Sequence, residues 1–327
     1  MGGVIPTFPV PVVMGVFLVL LIPTCIVALR FEDAPTRFLI AAIWLRYLMS
    51  AFHQYTYSPI AGGLSLNALG SVMVTGIGFL IIDKRLLGLK ALGGIYLMIA
   101  ALTISTIVNG RAEAVVSLTK WGYLVTMTIA AYEALRRHGS AKLFSALLIV
   151  FLPPLALQAL SVIVGMGKGS EADGSICFIG GYNHEAAFSI MMLTFLYCSC
   201  LLEPDRPRLA TMCMIAALVA LLLANYRTSL LAALPIIAAT IFFGAIRRIS
   251  PQGRPFAGIM VVCLAGLVLV YVSQSALQQR FTDLSVVLSS SAELLKPPEY
   301  YTDAESDLLS ARAIIWSRYI TAYLHGS

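Results

Sequence analysis

The apolar residues of this chain fall in long uninterrupted blocks, not in the alternation of a strand or the one-sided stripe of a soluble helix. The blocks lie at 10–29, 38–52, 64–82, 86–108, 114–135, 143–164, 186–202, 209–224, 228–246 and 256–272, separated by short charged or Gly/Pro-containing interruptions. A helix needs roughly 20 predominantly apolar residues to cross a bilayer, so the pattern predicts about ten membrane spans. The expected fold is all-α: a polytopic transmembrane helical bundle over 1–272, followed by a long polar segment over 273–327. Two blocks carry an internal cation, Arg46 in the second and Lys120 in the fifth. Each is costly in lipid unless it faces protein or reaches an interface. Pairing with Glu113 or Glu133, or facing a cavity for a polyanionic head, would relieve that cost.

Composition narrows the class. With 59% hydrophobic and 12% charged residues in 327, and a mean hydropathy of +0.88, the chain excludes a soluble enzyme, a disordered chain and a disulfide scaffold. Cys25, Cys198, Cys200, Cys213 and Cys263 fall within apolar blocks and read as small buried hydrophobes; only Cys177 lies in a loop. No metal-ligand spacing and no pair of loop cysteines is present, so neither a zinc site nor a disulfide is expected, and without a Walker loop, HExxH or dinucleotide fingerprint no other cofactor is expected. The N-terminus, Met1 to Val10, has no basic region of the kind that opens a cleaved signal peptide.

The net charge of +6 raises the question of nucleic acid, but the basic residues are scattered through short loops without aromatic interleaving. They read as topology signals. Loops after odd-numbered spans hold twelve basic residues and loops after even-numbered spans hold three, Arg111, Lys168 and Arg227. By the positive-inside rule the N-terminus and everything after 272 are then outside. Three segments share that side: the aromatic loop HQYTYSPIAGG at 53–63, the Gly-rich loop GMGKGSEADGSICFIGGYNHE at 165–185, and the tail.

Candidate chemistry collects in these segments. Arg227, in ANYRTSLLAALP at the start of the ninth block, combines a guanidinium fork with a helix N-terminus, which suits a phosphate; it can equally snorkel to lipid phosphate. His184 and Glu185 in GGYNHEAAF can transfer protons, or the same residues can serve the helix start, with Asn183 as the cap and Glu185 on the positive dipole end. In the tail, Leu308, Leu309, Ile315 and Tyr319 recur with helical rhythm. Arg312 and Trp316, four apart, share a face beside Arg318. They suit an anionic headgroup or a sugar diphosphate, and equally a solvated amphipathic helix with a Trp anchor. His53, Tyr55 and Tyr57 suit sugar stacking or an interfacial aromatic belt.

The order of these features resembles the bacterial O-antigen ligase and polymerase superfamily, which includes exopolysaccharide polymerases. The resemblance runs from about His53 to the end and rests on the Gly-rich loop entering GGYNHEAAF, on YRTSLLAAL opening a helix, and on a large outside loop holding SARAIIW. It implies a multi-pass enzyme of the bacterial inner membrane with a periplasmic active site. Such an enzyme takes a glycan from an undecaprenyl-pyrophosphate carrier and joins it to an acceptor sugar, without metal or nucleotide sugar. Its arginines that hold the pyrophosphate would map onto Arg227 and Arg312, with Arg318 beside the latter in the same tail segment. A base near the acceptor hydroxyl would complete the chemistry, for which the residues themselves offer His184 and Glu185, as they offer Tyr55, Tyr57 and Trp316 for sugar contact. Partners are the lipid-linked oligosaccharide, membrane lipid and other polysaccharide assembly proteins; nucleic acid is not among them.

Two departures stand out. Where relatives often carry an Asn after Pro or Lys, this chain has His184 and Glu185. It also ends at Ser327 inside the large outside loop, which implies a truncated member whose loop histidine lies beyond the end; His325, the only tail histidine, is then the candidate substitute. Two other classes fit the same composition: a transporter or flippase for lipid-linked sugars, using Arg46 and Lys120, and a noncatalytic membrane subunit of a polysaccharide assembly complex.

Overall fold

A computed structural model describes residues 6–61, 64–109, 114–169, 176–248, 250, 252–253, 256, 259–260, 263, 300 and 312–325. The chain divides into two compact units, Met1–Thr240 and Ile241–Ser327. Helices dominate: α1 (Val10–Leu29), α2 (Ala34–Ala51), the single turn α3 (His53–Thr56), α4 (Leu66–Ile81), α5 (Gly93–Asn109), α6 (Ala114–Leu147), α7 (Leu152–Ile163), α8 (Glu185–Leu202), α9 (Pro207–Ala224), α10 (Arg227–Arg248) and, in the second unit, α11 (Arg312–His325). Two small antiparallel hairpins interrupt them, β1 (Pro59–Ala61) with β2 (Leu64–Ser65) and β3 (Lys168–Gly169) with β4 (Ile176–Cys177).

Helix starts follow local chemistry. Asp33 accepts the Thr36 N–H at 3.0 Å and caps α2, with Pro35 in the first turn; Ser65 does the same for α4 through Ala68 at 3.2 Å. The block expected at 86–108 opens later because Asp83 caps a 3-10 turn over Lys84–Gly88, and a second such turn follows at Lys90–Leu92. Almost all of the expected tenth block, 256–272, lies outside the described residues.

Among the described residues, five stretches are long and apolar enough to cross a membrane: Val10–Leu29, Lys90–Val108, Leu118–Ile163, Glu185–Leu202 and Pro207–Ala224. The third has 46 residues, about 69 Å if straight, more than twice a hydrocarbon core of about 30 Å. It is not straight. Gly139 breaks α6 with φ 75° and ψ 170°, a backbone setting open to glycine and strained for other residues. The chain is therefore a membrane protein, with apolar surface where a soluble protein would be polar: Leu18, Leu97, Ile107 and Ile163 all stand outward.

The core lies around α6, which packs against α2, α4, α5 and α8, while α8 and α9 form a close antiparallel pair. At Gly78 of α4 an added Cβ would meet Thr126 at 2.3 Å and Phe38 at 2.5 Å, so the small residue lets three helices converge. Cys198 and Cys200 are buried as expected; Cys25 and Cys263 are exposed, and the loop residue Cys177 is buried.

Arg46 finds other partners than a carboxylate. Arg46 donates to Asn67 Oδ1 at 2.5 Å and to Ser71 Oγ at 3.3 Å, both on α4. Glu133 receives Arg137 at 3.1 Å and the Asp83 N–H at 2.6 Å. Lys120 is exposed on the surface of α6, and Glu113 lies outside the described residues.

Candidate functional site

One end of the first unit gathers the C-terminus of α2 with α3, both hairpins, the loop 178–184, the starts of α8 and α10 and the end of α9. The loop is held from two sides. Gln158 of α7, buried, donates both amide hydrogens, to Phe178 O at 2.8 Å and to Ala220 O of α9 at 2.9 Å. Phe178 N–H then donates to Leu223 O at 2.8 Å. Gly180 follows with φ 62°, so close to α7 that a Cβ would stand 2.8 Å from the Gln158 backbone nitrogen. Tyr182 seals the loop, fully buried against Phe188 with ring centroids 5.4 Å apart and its hydroxyl 3.4 Å from Tyr47 O. Burial pushes that phenol up from its ordinary range.

This clamp delivers the NHE segment to the head of α8. The cap is His184, not Asn183: its Nδ1 accepts the Ala186 N–H at 3.1 Å, and the helix begins at Glu185. Capping occupies only one ring nitrogen and leaves the imidazole 59% exposed. Glu185 turns to Lys168 on β3, with Nζ to Oε2 2.7 Å, and stands 3.9 Å from His184 Nδ1. The strand pairing of Lys168 with the buried Cys177 fixes the lysine's position.

His53, the first residue of α3, lies near enough to Lys168 for that charge to act on its ring. It is buried, its ring 6.2 Å from that of Tyr57. Burial pulls its pKa below the ordinary value; the Ser50 backbone opposes this, and the charge of Lys168 adds to it. Tyr55, 59% exposed, lines a neighbouring cavity of about 250 Å³ with Phe8, Pro9, Val13, Phe52 and Gln54. Thr7 Oγ1 accepts from Gln54 there at 3.0 Å.

Two of the three segments expected outside thus converge, and Lys168 and His53 join His184 and Glu185 in one constellation. In the sequence Lys168 reads only as a topology signal, and His53 only as a stacking or belt residue beside Tyr55 and Tyr57. The available signal was the isolation of Lys168, the one basic residue of its Gly-rich loop. Arg227 opens α10, two residues past Asn225, whose left-handed φ of 50° ends α9. That places its backbone at the same end, within a few residues of the Leu223 carbonyl that holds the loop.

The tail residues belong to the second unit. Arg312 is the first residue of α11 and His325 the last; Trp316 and Arg318 lie between and are exposed. Leu308 and Leu309 lie outside the described residues. Among the described residues no group of three or more His, Cys, Asp or Glu is placed to hold a metal ion. No protein-family model, no curated protein and no solved structure matches this chain.

Proposed function

We propose that the chain is a multi-pass glycosyltransferase of the bacterial inner membrane, of the O-antigen ligase or polymerase kind. It would transfer or polymerise undecaprenyl-pyrophosphate-linked glycan units at the periplasmic face during surface or exopolysaccharide biosynthesis. The observation that carries this reading is the gathering of an exposed imidazole, a carboxylate and a lysine at the head of a membrane helix, at the bundle end where α10 opens with Arg227.

Each part then has a task. An acceptor sugar hydroxyl attacks the anomeric carbon; the new C–O bond forms as the bond to the pyrophosphate oxygen breaks, and the lipid pyrophosphate leaves with the electron pair. The hydroxyl proton passes to Glu185 or to the ring nitrogen of His184 that the cap leaves uncommitted. Arg227 and the amide dipoles of the α10 N-terminus receive the growing charge on the pyrophosphate, and Lys168 adds a second cation. Tyr55 and Tyr57 offer faces for sugar rings. The remaining candidates, Arg312, Trp316, Arg318 and His325, are not needed for this assignment.

The transporter alternative asks for Arg46 and Lys120 in a central cavity, and the hydrogen bonds of Arg46 and the exposure of Lys120 favour the transferase. The deciding experiment is Arg227→Ala in the producing cell. Surface polysaccharide should vanish while membrane insertion and abundance stay unchanged. Normal polymer in that variant would remove Arg227 from the site.

A further inference from the structure

Helix α11 is built inside out by the standards of a water-soluble helix. Over its 14 residues, about 21 Å of length, it buries the small polar Ser317 and turns its large side chains outward. Trp316 is 68% exposed, Tyr319 75% and Tyr323 88%. Their spacing of three and four residues puts the three rings on one stripe. Ile315 and Ile320 flank the stripe and are also exposed.

Charge identifies what such a face meets. The segment RAIIWSRYITAYLH holds two arginines and a histidine and not one acidic residue. Arg318 is exposed next to the stripe. Trp and Tyr rings with an apolar body and a polar edge are at home where hydrocarbon gives way to headgroups. Arginines among them complement anionic lipid phosphates, each worth about fivefold in affinity near such a surface. The helix is joined covalently to a chain that crosses the membrane, so a bilayer surface is at hand without a separate encounter.

We propose that α11 lies in the interface of an anionic bilayer, its Trp316–Tyr319–Tyr323 stripe seated at headgroup depth and Arg318 on lipid phosphate. This does not depend on the glycan-transfer reading: it concerns the attachment of the second unit and holds for any activity of the first.

The test uses the full chain in vesicles. Trp44→Phe and Trp121→Phe leave Trp316 as the single tryptophan. In vesicles containing phosphatidylglycerol, Trp316 emission should shift to the blue, resist aqueous acrylamide and be quenched by phospholipids brominated near the headgroup end of the acyl chain. In pure phosphatidylcholine, or with Arg318→Glu, the lipid quenching should fall several-fold. If the double variant does not insert, the difference spectrum between the unaltered chain and Trp316→Phe gives the same readout. Red, acrylamide-accessible emission in both lipids would overturn the proposal. So would emission shielded from acrylamide but untouched by brominated lipid, which would mean that protein covers the stripe.

Discussion

The first unit carries a histidine–carboxylate neighbour pair at each end, and the two behave oppositely. Near the break in α6, His138 Nε2 meets Asp33 Oδ1 directly, both side chains mostly buried. Asp33 also accepts from the Thr36 backbone and hydroxyl, Phe31 packs edge-on to the imidazole, and Lys142 sits 4.9 Å from the Phe31 ring. At the other end Glu185 gives its close contact to Lys168, and His184 stays exposed with one ring nitrogen uncommitted to the cap. An imidazole beside a carboxylate thus makes a buried fastening in one place and a partly exposed, looser neighbour pair in the other. Exposure and the number of competing partners decide which.

That contrast can be broken most directly by Glu185→Gln. The amide keeps the shape and removes the proton acceptor, so glycan transfer should fall on the order of 10²- to 10⁴-fold with protein abundance unchanged; retained transfer would reduce the outer pair to a cap. Asp33→Ala should do the reverse, costing about 1–2 kcal/mol of stability through the lost cap, read as a lower unfolding temperature in detergent, with activity kept at permissive temperature.

The acid limb sharpens the same point. Burial pushes the Asp33 pKa up, but the hydrogen bonds from Thr36 and His138 outweigh it and hold the carboxyl at about 2. Its folded value lies below the ordinary one near 3.9, so its stabilisation is complete above about pH 4 and fades as pH falls toward about 2. Asp33→Asn should flatten the stability profile in that window, measured by thermal unfolding against pH. Smaller still, His184→Ala should cost about 0.5 kcal/mol while lowering transfer more than its stability change explains. Lys120→Gln, away from both ends and exposed, should leave stability within about 0.5 kcal/mol and polymer synthesis intact.

The helices were legible because lipid imposes one rule on the backbone, and unbroken apolar blocks announce it. Val10–Leu29 matches its expected range at both ends, and α8 and α9 shift by two residues or fewer. The late start of α5 was not legible, since the 3-10 turns after Asp83 are themselves apolar enough to pass for helix. The site was half legible. His184 and Glu185 adjoin in sequence, and Arg227 sits at a readable helix start. Lys168 lies 17 residues from Glu185 across a hairpin, and His53 arrives from another helix altogether; only the fold brings them near. Arg46 shows the same limit: its partners on α4 are an amide and a hydroxyl, which no search for carboxylates would find.

The joint at Gln158 has an electrical consequence. It fastens the loop that carries His184 and Glu185 to α7 and α9 with a neutral amide, both hydrogens spent on carbonyl oxygens. The potential across a membrane does work on charges, about 2.3 kcal/mol per elementary charge per 100 mV, and a neutral joint offers it no charge to move. A change in membrane potential therefore moves no charge at that fastening, and any work it does at this end of the bundle falls on the ionised side chains, Lys168 and Glu185, beside it.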